Sequence, residues 1–303
     1  MTETNIQVLQ KIREGKSYIQ IMSELKMSYV ALLKNIRDLV LLDYNFEKTL
    51  FCDGTTILKE TKKVLENINQ ININFKEEKE FRCLFISDLH AGSEKDRLEL
   101  VDKVSNYAIN NRINFIFNLG DVVENTYTNA KLRLETIEEQ IQELVEKYPC
   151  DRRLVHIIEY GNHDYYSLQT HDFDIAKEIE KQRPDMISLG YGRGYVGLAN
   201  DHICLEHECN DRPPERKTKS KISFIGHSHL YKTCGKEIYV PALSDEVPSN
   251  YSMPPLKGFL DVNFILNRQG LISKLKIQHF AIEFSLALAS KSTIMVRKRA
   301  GKE

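Results

Sequence analysis

The chain has 303 residues, enough for two domains or for one large domain with an appendage. Its 42 Lys and Arg nearly balance 43 Asp and Glu, which excludes a polycationic nucleic-acid coat and an acidic tail protein. With 42% hydrophobic and 28% charged residues the composition is that of an ordinary globular chain, and no uncharged apolar run reaches the roughly 18 residues of a membrane span.

The start, Met1-Thr2-Glu3-Thr4-Asn5, lacks the basic-then-apolar pattern of a secretory signal. Six scattered cysteines form no Cys-x-x-Cys pair, so reduced thiols in a cytoplasmic protein without membrane partners are expected. Ile6, Leu9 and Ile12 mark a first helix ending at Gly15; Ser17 caps a second through Leu25. Ser28 caps a third, with Val30, Leu33, Ile36, Leu39 and Val40 on its apolar side. Residues 49–58 read as a hairpin around Asp53-Gly54. Three helices and a hairpin over 1–60 resemble a winged helix. The polar, Asn-rich stretch 61–80 reads as a linker, 81–284 as the main domain, and 285–303, with Arg297-Lys298-Arg299, as a basic tail.

From 81 onward short apolar runs alternate with helical stretches near 95–111, 130–148 and 172–182, which predicts α/β architecture; after 185 the chain turns β-rich, with a hairpin at 258–279. Five apolar runs end in metal-ligand residue types. They lead into Asp88-Leu89-His90, Gly120-Asp121, Gly161-Asn162-His163-Asp164, His207 and Gly226-His227-Ser228-His229. In open α/β sheets ligands bind beyond the carboxyl ends of strands, so five such ends describe one site. Asp-x-His and Gly-Asp are each expected about once or less by chance. Gly-His-x-His is expected about 0.01 times and Gly-Asn-His-Asp about 0.001 times, so the last two are specific.

These motifs together resemble the signature of calcineurin-like metallophosphoesterases, over roughly 81–245. The resemblance implies two facing mixed β-sheets flanked by helices, with the small winged-helix-like unit at the amino terminus. It implies one metal on Asp88, His90, Asp121 and His229 and a second on Asp121, Asn162, His207 and His227, with Asp121 bridging. His202 and His171 are the alternatives to His207. A bridging carboxylate holds two divalent ions about 3.5–4 Å apart, where they activate a shared water and neutralise phosphoryl oxygens. Imidazole, carboxylate and amide donors without thiolate suit Mn²⁺ first, with Fe or Zn²⁺ as alternatives. His163 stands beside a ligand and is expected to protonate the leaving oxygen, a task imidazole suits. Asp164 orients His163 or caps the following segment.

The motifs leave the substrate open. After Gly120-Asp121 the chain reads Val122-Val123-Glu124-Asn125, where Ser/Thr protein phosphatases carry Asp-Arg-Gly, and Ala91 follows His90 where that branch has Gly. The Gly-Asn-His-Asp form is closer to phosphodiesterases and repair nucleases. The loop 211–221 carries five cations against two acids, so Arg212, Arg216, Lys217 and Lys219 are candidate phosphate contacts. Lys34 and Arg37 on the third helix are candidate DNA contacts. The favoured expectation is a two-metal phosphodiesterase acting on DNA or RNA. The alternatives are a small-nucleotide phosphodiesterase or phosphatase with a protein-docking first unit, and a DNA-binding regulator with a metal-sensing domain.

Overall fold

The computed structural model describes residues 1–62, 69–126, 131–208, 220, 222–247 and 257–282, and the backbone of 287–295. The amino-terminal helices form where their caps stand. Thr2 caps α1 (Glu3–Arg13), Ser17 caps α2 (Tyr18–Leu25) and Ser28 caps α3 (Tyr29–Val40), each side chain accepting a first-turn backbone N–H. Val8, Ile12, Ile21, Leu32, Ile36 and Leu39 form their shared core, closed by Phe46 and Leu58. Those two residues sit on β1 (Asn45–Phe51) and β2 (Thr56–Thr61), which pair antiparallel. Gly54 takes φ +83° in the turn, and the Asp53 carboxylate accepts the Thr55 N–H.

The expected linker 61–80 contains a strand, β3 (Gln70–Asn74), parallel to β1 on one side and to β8 (Arg193–Leu198) on the other. Its asparagines hid it from sequence reading. Ile71 and Ile73 alternate with them, and Ile73 enters the main core. The amino-terminal hairpin is therefore part of a sheet of the main body. Sheet I has the order β11-β12-β10-β9-β8-β3-β1-β2, with β9 (Asp201–Glu206), β10 (Ser223–Ile225), β11 (Lys232–Cys234) and β12 (Glu237–Tyr239).

Sheet II has the order β15-β14-β13-β4-β5-β6-β7. Its parallel half is β4 (Glu80–Ile86), β5 (Phe115–Leu119), β6 (Val155–Tyr160) and β7 (Met186–Tyr191). Helices α4 (Glu99–Asn110), α5 (Ile137–Lys147), α6 (Asn162–His171) and α7 (Ile175–Gln182) lie in the connections. β13 (Gly258–Leu266), β14 (Ile272–Ile282) and β15 (Ala287–Met295) continue it antiparallel, so 287–295 of the expected tail form a strand. Residues 296–303, with the Arg-Lys-Arg run, lie outside the described residues.

Period-two alternation explains the two layers. Phe81, Cys83 and Phe85 of β4, with Phe115, Phe117 and Phe264 of the same sheet, face Phe224 and its neighbours on sheet I, while Leu84 and Ile86 face α4, α5 and α7. The Phe85 and Phe224 rings stack across the sheets at 3.9 Å between centroids. The result is the facing mixed sheets flanked by helices that the motifs implied. α6 alone among these helices was not expected as such; the motif Gly161-Asn162-His163-Asp164 opens it directly after β6.

Candidate metal centre

Strand polarity assembles the centre. β4, β5 and β6 run parallel, so Asp88, Asp121 and Asn162 leave sheet II at one end. β9 and β10 run parallel in sheet I and deliver His207 and His227 towards them. The turns are laced together by backbone bonds, Asp88 N–H to Gly120 C=O at 3.0 Å and His90 N–H to Asp121 C=O at 2.9 Å. Five of the seven expected ligands, Asp88, His90, Asp121, His227 and His229, hold left-handed backbone with φ between 49 and 65°. Such conformations are uncommon for residues with a Cβ and mark sites whose surroundings over-determine them. Gly161 is needed for close approach: a Cβ there would stand 2.2 Å from Asp121 Oδ1.

The imidazoles are aimed by their outer nitrogens. His90 Nδ1 donates to Glu124 Oε2 at 2.7 Å, His207 Nδ1 to the Leu119 carbonyl, and His229 Nδ1 to the Glu246 carbonyl at 3.1 Å. Fixing Nδ1 in this way turns Nε2 inward, the usual support of a metal-bound histidine. His229 Nε2 reaches 3.3 Å from Asp88 Oδ1 and 3.3 Å from His90 Nε2. His207 Nε2 lies 3.0 Å from Asp121 Oδ2. His227 Nδ1 meets Asn162 Oδ1 at 3.0 Å.

Three overlapping groups have metal-ligand spacing: Asp88, His90 and His229; His90, Asp121 and His163; Asp121, His207 and His227. Both oxygens of buried Asp88 and Nε2 of buried His207 lack an aligned hydrogen-bond partner, and two imidazole nitrogens face each other. Protein interiors do not normally leave such atoms unsatisfied. Oxygen and nitrogen donors without thiolate fit hard or borderline divalent ions, so this residue set fits a two-ion centre.

Charge is strongly organised here. Burial opposes ionisation of His90, yet the Glu124 carboxylate holds its pKa up at about 9. Burial opposes His207 likewise, and Asp121 raises it to about 10. Burial would push Asp121 up, but His207, His163 and His90 keep its carboxyl well below the ordinary range. Asp164 is raised to about 7 by burial and by Asp121.

Asp164 caps. It accepts the N–H groups of Gly161, Val122 and Val123 at 2.8–3.1 Å, tying the turn after β5 to the start of α6. His163 donates from Nδ1 to the Glu124 carbonyl at 2.9 Å, and its Nε2 stands 3.9 Å from Asp121 Oδ2. Glu124 was read from sequence only as a departure from the phosphatase pattern, yet its side chain positions His90 and its backbone positions His163. The available signal was an acid closing the apolar run Val122-Val123. Asn125 was also missed; its amide donates to the His163 carbonyl at 2.9 Å and to Ser167 Oγ at 2.6 Å.

Of the alternatives to His207, His171 is exposed and bonded to Thr170 Oγ1, and His202 packs on Tyr195; neither joins the cluster. Arg212, Arg216, Lys217 and Lys219 lie outside the described residues. Lys34 is exposed on α3, and Arg37 lies half-buried beside Asp38 on the same helix.

Two facing mixed sheets with Asp, His and Asn donors gathered at their strand ends define a metal-binding, phosphate-ester-hydrolysing class of fold. The chain belongs to the calcineurin-like phosphoesterase family, whose model matches residues 81–244, just over half of it. Among solved structures, a double mutant of Vps29 from Entamoeba histolytica is 13% identical with TM-score 0.41, covering 71% of this chain and 99% of that one. Vacuolar protein sorting 29 from Cryptosporidium parvum is 13% identical with TM-score 0.43, covering 72% and 100%. The nuclease MPE of Pseudomonas putida is 12% identical with TM-score 0.35, covering 62% and 84%. No curated protein matches the chain.

Proposed function

We propose that this chain is a two-metal phosphodiesterase of the nuclease type, cleaving phosphodiester bonds in DNA or RNA, with Mn²⁺ as its preferred ion and Fe or Zn²⁺ as substitutes. The observation that carries the reading is the convergence of Asp88, His90, His163, His207, His227 and His229 around Asp121. When bound, two divalent ions supply an activated water and neutralise phosphoryl charge. Asp88, His90, Asp121 and His229 would hold one ion, and Asp121, Asn162, His207 and His227 the other. His163 delivers a proton from Nε2 to the leaving oxygen, its ring held by the Glu124 carbonyl. Asp164 keeps the two motif turns in register. Arg212, Arg216, Lys217 and Lys219 would grip flanking phosphates.

In this reading the amino-terminal helices and hairpin act as a winged-helix-like DNA reader, with Lys34 and Arg37 at the groove. Protein docking is the second reading of this unit. It is favoured by Ile6, Ile19, Val30, Leu41 and Leu42, all about half-exposed or more on or beside these helices. The free cysteines among the described residues suit a cytoplasmic location, and no helix among them is long and apolar enough to cross a membrane.

The deciding experiment is a Mn²⁺ activity panel of a bis-ester, a mono-ester, cyclic nucleotides, and single- and double-stranded DNA and RNA. Turnover of the bis-ester and of nucleic acid is expected. Preference for a mono-ester or a cyclic nucleotide moves the assignment to the small-nucleotide class, and metal binding without any turnover moves it to a metal-sensing regulator.

A further inference from the structure

Sheet II ends at β7, whereas sheet I continues past β8 through β3, β1 and β2. This overhang leaves a cleft of about 540 Å³, walled by β1 and β3 on one side and by α7 and β7 on the other. It contains none of the metal-centre residues. Its volume falls in the range of about 300–1,000 Å³ that accommodates a small organic ligand.

The lining selects the chemistry. Lys48 Nζ donates to Glu180 at 2.7 Å, and Lys177 Nζ stands 3.0 Å from Asp174. With Glu47, the charged lining is two cations and three carboxylates, so a phosphate group would meet net negative charge. The pleat of β3 sets Gln70 and Asn72 on one face towards the cleft. A side-chain amide presents a donor and an acceptor together, the complement of a nucleobase edge. Tyr191 supplies an aromatic wall, and its hydroxyl is fixed between the Ala176 N–H at 3.1 Å and Asp174 Oδ1 at 2.9 Å. Phe46 is a second aromatic of the lining. Both rings are buried, 5% and 8% exposed, so they close the cleft as an apolar surface against which a flat, uncharged base can lie.

We propose that this cleft binds a neutral nucleobase or nucleoside, at a site separate from the metal centre. The site goes beyond the phosphodiesterase reading and does not rest on it.

Calorimetric titration of adenosine, guanosine, cytidine and uridine into the full-length, metal-free protein in EDTA tests it. Saturable one-to-one binding of at least one nucleoside is expected, with its 5′-monophosphate at least tenfold weaker. Asn72→Leu, which removes the amide, and Ser188→Trp, which fills the cleft from the opposite wall, should each weaken binding at least tenfold. Thermal melts matching the parent protein establish that each variant is folded, and the two changes lie on different elements. No saturable nucleoside binding overturns the proposal, as does parent affinity in both folded variants or a monophosphate that binds as tightly as its nucleoside. Because the ions are absent, this result is independent of whether the metal centre hydrolyses anything.

Discussion

Asp121 and His163 separate metal holding from proton delivery, and substitution can tell them apart. Asp121→Ala removes the carboxylate shared by two of the ligand groups, so bound metal and Mn²⁺-dependent hydrolysis should both be lost. His163→Ala should keep metal content near that of the parent by elemental analysis while turnover falls by roughly 10²–10⁴. Full activity in both variants would sink the mechanism. Protonation gives a second prediction. Without metal, His90 and His207 have pKa values raised to about 9 and 10, so both carry a proton on the inward nitrogen at neutral pH. An ion needs that nitrogen deprotonated, so loading at pH 7 should release about two protons. Since the folded pKa values lie above neutrality, apparent metal affinity should rise with pH up to about 10. Calorimetry in buffers of different ionisation enthalpy counts the protons, and zero release would contradict the arrangement.

At the scale of elements, the site depends on how turns pack rather than on any one strand. The α6 N-terminus enters against the turn after β5, with Gly161 N–H bonded to Asp164 and His163 N–H bonded to Asp121 Oδ1. Gly161→Ala would put a methyl 2.2 Å from that same oxygen. The turn or the carboxylate must then move, so metal stoichiometry should fall in a protein whose far-ultraviolet circular dichroism is unchanged. A full metal complement in Gly161→Ala would show that the turn has slack the geometry denies. Elements also show what sequence reading reached. The serine caps and the Asp53-Gly54 hairpin were legible because each is a local rule. β3 was not, since two isoleucines among asparagines form a strand only between two waiting edges, β1 and β8.

For the whole molecule, the consequence of β3 is that the amino-terminal unit is not a bead on a string. Leu50 and Ile73 lie in the same core as Phe85 and Phe224, and Lys48 pairs with Glu180 of α7. Deleting residues 1–75 should therefore bare the edge of β8 and part of the inter-sheet core, and exposed edges aggregate. Size-exclusion chromatography and a thermal melt should show an associated or less stable product. A monomer melting with the parent would mean that the two parts fold independently. For the same reason, DNA binding is better tested in the full-length chain, where steep weakening with salt is expected if phosphates are contacted.

The sequence by itself determined which residues could meet. Strand periodicity put Asp88, Asp121, Asn162, His207 and His227 at strand ends, and motif glycines left room for them to converge. It also determined the amino-terminal helices, through caps that act within three residues. Only the tertiary structure decided that His90 is aimed by Glu124, that His163 leans on a backbone carbonyl, that β3 joins the hairpin to the main sheet, and that a cleft opens where one sheet outruns the other. The physical reason is range. Periodicity and capping are written in neighbouring residues, whereas a contact such as His90 with His229, 139 positions apart, exists only once both sheets have packed and their turns have taken backbone conformations that no local preference would choose.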